Sequence, residues 1–430
     1  MRKSNRRTAL SGLAVGLMAM TAMPSQAFAQ TTLTVLVDNS ADTVAFTEAL
    51  IAAFEANHPE INLELETRPG GAEGDNLTKT RLATQSMNDI FLYNSGSLLQ
   101  ALNPERTMLP LTDAPFMERV ADSFQQAVTF NGQVYGVPVQ PAMGGGILYN
   151  RAIYEELGLS VPKTWAEFMA NNEKIKQAGK VPVIQTYRDT WTSQLIVLAD
   201  YFNVQAEVPD FAEKYTAGEA KFATTPAALR GFEKLAEINA AGYLNEDFGA
   251  ATYDDGLRML TSGEGAHYPM LTFAVAAIAA TYPDAVNDVG FFAQPGDSAD
   301  SNGLTTWMPA AWYIAASTPY PDEAKQFLDF AASVEGCDVV TDAVGASGPY
   351  LIQGCGLPDT VPPAVSDMLP YFQDGGQSAP ALEFLSPVKG PALEQITVEV
   401  GSGTRAPADA AALYDEDVRK QAQQLGLPGW

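Results

Sequence analysis

Between Thr32 and Glu66 the apolar residues change their spacing twice, and few folds accommodate that. Leu33, Val35 and Val37 alternate with polar neighbours and share one face of a strand. From Thr43 to Asn57, Phe46, Leu50, Ala53 and Phe54 recur at helical spacing until His58-Pro59 stops the helix. Ile61, Leu63 and Leu65 then alternate again up to Glu66. Strand, helix and strand in immediate succession open a parallel sheet, because parallel neighbours need a crossover between them. Arg68-Pro69-Gly70-Gly71 predicts a loop, Leu77 to Thr84 a short helix, and Asp89 to Tyr93 the next strand.

The rest of the chain continues in the same style. Thr164 to Glu167 reads as a capping box, with Thr164 as N-cap, Trp165, Phe168, Met169 and Ile175 on one face, and Gly179 at the end. Thr225-Pro226 starts another helix, with Leu229, Phe232, Leu235 and Ala236 inward. Asp322 to Ser333 buries Ala324, Phe327, Leu328 and Ala331. Ala408 to Gln424 predicts a surface helix with Glu416 and Lys420 paired one turn apart. Leu271 to Thr281 is the most apolar internal run and predicts a buried helix; Gly144 to Gly146 marks a break in a strand-like stretch. At 430 residues, the chain is long enough for two lobes, each with its own core.

Residues 1–29 read as a signal peptide. Arg2, Lys3, Arg6 and Arg7 precede an apolar core from Leu10 to Met23, and Ala27-Phe28-Ala29 fits a small-x-small cleavage site before Gln30. That core is shorter than the roughly 20 residues a membrane span needs. Removing those four basic residues takes the net charge from −26 to −30. Such a surface repels nucleic acid and anionic lipid, and disfavours a strongly anionic ligand. An exported chain with two cysteines, Cys337 and Cys355, is expected to bridge them.

Much chemistry is excluded. The two histidines, His58 and His267, lie far apart in sequence, with no clustered zinc ligands, and each has a structural reading: a helix stop and a strand neighbour. No phosphate-binding or dinucleotide glycine motif occurs, so no cofactor is expected. Acidic residues are plentiful, yet none is singled out as a glycosidase pair. Trp191, Trp307 and Trp312 sit in loop or strand-edge contexts, where an indole can pack on the C–H face of a sugar ring; Trp165 sits on a core-facing helix.

Several ordered segments resemble the family-1 extracellular solute-binding proteins of carbohydrate ABC importers, the maltose-binding-protein-like family. Leu50 to Ile61, with Phe54-Glu55 and Pro59, is similar to that family's first helix and its exit. Asn88-Asp89-Ile90 stands where the family has Pro-Asp-Val, and Asn131 to Pro138 resembles its hairpin before the hinge. Leu148-Tyr149-Asn150-Arg151, Gly158-Leu159 and Pro162-Lys163-Thr164-Trp165 carry the most specific likeness. Val289 to Pro295 and Glu323 to Leu328 resemble a second crossing strand and the helix after it.

The resemblance implies an α/β, two-lobed periplasmic-binding-protein fold of type II, each lobe a mostly parallel sheet flanked by helices. It places 30–140 and 296–335 in the first lobe and 141–295 and 336–430 in the second, with hinge crossings near 140–146, 291–295 and 333–336. It implies a monomeric, non-enzymatic periplasmic protein that delivers a mono- or oligosaccharide to membrane permease subunits. Ligands in such folds meet the C-terminal ends of strands. That nominates Asp38, Asn39, Asn94 and Ser95 from the first lobe, and Arg188, Asp189 and Trp191 from the second. Thr272 and Phe273 fall where the family often has Gly-Trp, Trp307 where it often has two glycines, and Tyr350 follows a loop that returns to the cleft. Two alternatives are a sulfonated or phosphorylated sugar clamped by Arg188 or Arg68, and a secreted glycoside hydrolase; a chemotaxis adaptor role is compatible with transport.

Overall fold

The computed structural model describes residues 30–373 and 375–430; the signal-peptide reading of 1–29 lies outside them. In chain order its strands begin with β1 (Thr31–Asp38), β2 (Ile61–Arg68), β3 (Ile90–Tyr93), β4 (Thr129–Phe130), β5 (Gln133–Val134) and β6 (Gly136–Pro138). They continue with β7 (Met143–Asn150), β8 (Val181–Val183), β9 (Gly265–Leu271) and β10 (Val289–Ala293). The last are β11 (Leu304–Trp307), β12 (Ala311–Ile314) and β13 (Ser378–Pro380).

Two large sheets divide these strands. One has the order β2-β1-β3-β12-β6, the other β13-β11-β7-β9-β8 with β10 also on β7. Each is mostly parallel with one antiparallel strand: β12 runs against β3 and β6, and β7 against β9, β10 and β11. Those two odd strands are the ones the chain enters on passing between lobes. The two-lobe α/β architecture is therefore as the sequence implied, with helices covering the sheets.

The opening follows from its periodicity. The first helix, α1 (Ala41–Asn57), lays Phe46, Leu50 and Phe54 on the sheet. It ends at His58, whose ring stacks on Phe54 at a centroid distance of 4.4 Å. Leu36 is buried as well as Leu33, Val35 and Val37, because β1 is an inner strand covered on both faces. The expected loop after Arg68 is shorter than its glycines suggested. The second helix, α2, runs Gly71–Ala83, and Gly71 takes a positive φ of 62° to turn the chain into it.

Gly144 to Gly146 are not a break; they lie inside β7. A Cβ on Gly145 would come within 2.1 Å of the Trp307 ring, so the glycine is what lets the indole lie flat on the strand. The run Leu271 to Thr281 splits into the end of β9, a turn, and a buried helix Ala274–Thr281. Glu416 pairs with Arg419 rather than Lys420.

The passages between sheets differ from those the resemblance implied. The first spans 139–142, between β6 and β7. The second is Met308 to Ala310, not 291–295, because both β10 and β11 belong to the second sheet; residues 296–307 therefore lie with the second lobe. Ser333 caps a helix, Val334–Val344, whose Cys337, Val340 and Val344 join the first lobe's core, so 333–336 is no crossing. The chain rejoins the second core at Ala364, Val365 and Met368.

Cys337 and Cys355 form a disulfide across 18 positions. It ties that helix to the loop whose Pro349 carbonyl accepts the Ala142 N–H at 2.8 Å, beside the first passage. Closing a loop of this length contributes about 3 kcal/mol in the chain-entropy treatment. Replacing both cysteines by serine is expected to lower the unfolding free energy by about that amount in a urea titration; an unchanged midpoint would contradict the assignment.

Candidate ligand-binding cleft

The C-terminal ends of β1, β2 and β3 gather polar groups on one side of the first lobe. Asp38 ends β1, where its carboxylate accepts the Ser40 N–H at 3.0 Å and also binds the Ser40 hydroxyl. In the first turn of α1, Asp42 is 2 % exposed and its Oδ1 has no hydrogen-bond partner among the described residues. Burial, reinforced by the charge of Asp38, pushes its pKa up to about 6. Arg68 ends β2, level with Asp38 in the register. Its guanidinium donates to the carbonyls of Pro69 at 3.0 Å and Leu92 at 3.4 Å and lies 5.9 Å from the centre of the Tyr93 ring. Arg68 Nε and the Tyr93 hydroxyl are buried without a close partner among the described residues, with Asp75 the nearest acid to act on Tyr93.

The second lobe presents an aromatic cluster. Trp191 comes from the loop after β8, Tyr253 from the first turn of the helix Tyr253–Ser262, and Phe273 from the turn after β9. Their ring centroids stand 5.4 Å (Trp191 to Tyr253), 6.0 Å (Trp191 to Phe273) and 5.9 Å (Tyr253 to Phe273) apart. Asp189 fixes the arrangement: its Oδ2 accepts the Tyr253 N–H at 2.6 Å. A capping box between Thr252 and Asp255 starts the same helix.

The two groups face each other. The Tyr253 hydroxyl is buried without a partner among the described residues, and its pKa is driven well up by burial, then by Asp42 on the other lobe, with smaller contributions from Tyr268, Asp254 and Asp38. Trp191 Cδ1 lies 3.4 Å from where a Cβ on Gly71 would be, and a Cβ on Gly96 would meet Phe384 at 2.9 Å. These contacts mark lobes that are close together. Buried polar groups are normally hydrogen-bonded. Asp42, Arg68 and Tyr93 on the first lobe and Tyr253 on the second each keep a buried polar atom without a partner among the described residues.

Of the nominated residues, Asp38, Asp189, Trp191 and Phe273 come together here. Asn39, Asn94 and Arg188 are exposed. The others are occupied elsewhere. The Ser95 hydroxyl donates to the Pro309 carbonyl at 2.8 Å and fastens the second passage. Thr272 is fully buried and accepts the Gly144 N–H at 3.0 Å, which holds the turn that presents Phe273. Trp307 is core: it is 4 % exposed, packs with Met143, Ala199 and Ala381, and donates its indole N–H to Glu383. Trp312 is fully buried between Phe46 and Phe327. Tyr350 packs on the first lobe's core and shares a hydrogen bond with Thr341.

Asp42, Tyr93 and Tyr253 escaped sequence reasoning. Asp42 falls just ahead of the helix that the spacing predicts from Thr43, and α1 starts earlier, at Ala41. The one usable signal for Tyr253 was its place behind the Thr252 cap.

His267 is fully buried, bonded to Tyr154 at 2.7 Å and Asn172 at 2.8 Å, and burial lowers its pKa to about 3, so it stays neutral. Among the described residues no group of three or more histidine, cysteine or carboxylate side chains is placed to hold a metal. No described helix is long and apolar enough to cross a membrane.

The raised pKa of Asp42 has a signed consequence. The folded chain binds this proton more tightly than the unfolded one, so stability falls as pH rises from about 4 to about 6. Above that window the penalty is complete, up to about 3 kcal/mol for a shift of this size. Asp42→Asn is expected to raise the denaturation midpoint of the ligand-free protein at pH 7.5, with the gain vanishing by pH 4. A midpoint lowered at pH 7.5 would contradict the burial of this charge.

Residues 38–336 match the family described as bacterial extracellular solute-binding protein. The multiple sugar-binding protein of Streptococcus mutans serotype c is 24% identical over 312 residues, covering 71% of each chain. A chitin oligosaccharide binding protein superposes with a TM-score of 0.78 at 21% identity, covering 92% of this chain and 99% of its own. The solute-binding protein RafE in complex with raffinose superposes at 0.73 and 22% identity, covering 92% and 100%. With more than half of its length matching the family, this chain belongs to the bacterial extracellular solute-binding proteins.

Proposed function

We propose that the chain captures a sugar in the cleft between Asp38, Asp42 and Arg68 on one lobe and Trp191, Tyr253 and Phe273 on the other. The single observation that carries this is the aromatic cluster facing buried polar groups that lack partners. A pyranose ring offers C–H patches to the aromatic faces and hydroxyls to the polar groups. The ligands named for its relatives, multiple sugars, chitin oligosaccharide and raffinose, support the same class.

In this reading the lobes close on the sugar and no bond is broken. The closed form then docks on the permease subunits of an ABC importer in the membrane, which distinguish it from the open form. The signal-like residues 1–29 support export to the periplasm, and the strong negative charge supports a free monomer that avoids nucleic acid and lipid. Clamping of a sulfonated or phosphorylated sugar finds little support, since Arg188 is exposed and Arg68 is engaged by carbonyls.

A thermal-shift screen over a carbohydrate library tests the proposal. A true ligand at 100 times its Kd stabilises the protein by about 2.7 kcal/mol. The expected result is a shift with a restricted set of sugars, which are recovered intact. Release of more than one equivalent of cleaved product per chain would replace binding with hydrolysis.

A further inference from the structure

The polar side of the cleft is acidic in a specific way. Asp38 ends β1 and Asp42 lies four positions on, in the first turn of α1, close enough that Asp38 raises the pKa of Asp42. Asp38 has partners in Ser40 and Thr43, whereas Asp42 Oδ1 is almost fully buried and has none among the described residues. Burial and the Asp38 charge raise the pKa of Asp42, against hydrogen bonds from Ser40 and nearby backbone N–H groups; among the described residues no lysine or arginine forms an ion pair with it. Arg68, the nearest cation in the register, spends its guanidinium on two carbonyls and makes no ion pair with Asp38. Facing the pair, Tyr253 contributes a second unpartnered buried oxygen, and Trp191 and Phe273 complete a three-ring wall.

A neutral sugar answers only part of this. One hydroxyl donates one hydrogen bond and leaves two negative charges facing each other. An ammonium brings three donors and a positive charge, forms stronger charge-assisted bonds to carboxylates, and is drawn to aromatic faces. The geometry points to a sugar that carries an ammonium group, an amino sugar or an oligomer containing one, with its cation at Asp38 and Asp42 and its ring against Trp191 and Phe273. This rests on the cleft being a sugar site.

Calorimetry at pH 7 and low salt on matched sugars tests it. The probes are β-1,4-linked trimers of glucose, N-acetylglucosamine and glucosamine, with the monosaccharide pairs glucosamine and glucose, and galactosamine and galactose. The amine member of a pair is expected to bind at least about tenfold tighter than its hydroxyl counterpart, an advantage that added salt erodes. Asp42→Asn is expected to remove that advantage while the variant stays folded in circular dichroism. A hydroxyl or N-acetyl member that binds as tightly, or an advantage that survives Asp42→Asn, overturns the inference and leaves sugar binding standing. So does a neutral sugar emerging as the sole ligand from the wider screen. Binding by no carbohydrate at all overturns both.

Discussion

Replacing Trp191 by alanine is expected to weaken sugar binding by about 30- to 150-fold, the equivalent of about 2–3 kcal/mol. The indole is half-buried in a loop, and its two aromatic neighbours, Tyr253 and Phe273, hold it against the opposite lobe at Gly71. Truncation removes the largest apolar face of the recess and leaves the neighbouring polar groups open to water. Because Trp191 lies at the margin of its lobe's core, the free protein should unfold within about 1 kcal/mol of the parent, as changes away from a packed core do. Calorimetry and chemical denaturation of the same variant separate the two effects. Unchanged affinity would remove Trp191 from the site.

Trp307→Ala is expected to do the reverse. Its ring lies on Gly145, among Met143, Ala199 and Ala381, and its N–H is committed to Glu383. Emptying that space costs about 3–5 kcal/mol of stability, in the range for large aromatic residues cut to alanine in cores. The Glu383 carboxylate, which Lys389 also binds at 3.0 Å, would lose one of its donors. Sugar affinity of the folded variant should stay within about twofold. A large affinity loss with little change in the denaturation midpoint would return Trp307 to the ligand.

These two tryptophans show where the sequence ran out. Both fall in strand-edge or loop contexts, and both looked able to face a sugar. What separates them is a partner distant in the chain: Gly145 gives Trp307 a flat place to pack, and Tyr253 and Phe273 give Trp191 a wall to join. Local spacing was informative wherever the determinant was local. The alternation of β1, the 3.6-residue repeat of α1 and the Thr164 capping box all produced the elements they predict.

Determinants held by the other lobe were not legible. Asp42 reads as an unremarkable acid just ahead of the predicted helix until Tyr253 lies across from it. Tyr253 in turn owes its position to Asp189, in a loop of the same lobe. The passages between lobes were misplaced for a related reason. Gln294-Pro295-Gly296 looks like a boundary, yet the chain stays with the second sheet through β11 and leaves it only at Met308 to Ala310, where a lone proline, Pro309, is a weaker mark than Pro295-Gly296.

Small-angle X-ray scattering during titration with the sugar found by screening tests the central idea most directly, since Gly71 against Trp191 and Gly96 against Phe384 touch only when the lobes approach. The radius of gyration should fall and level off at one equivalent of sugar per chain, and Trp191→Ala should need far more sugar to reach the same value. A scattering curve that stays unchanged while calorimetry reports saturated binding would place the ligand outside the cleft.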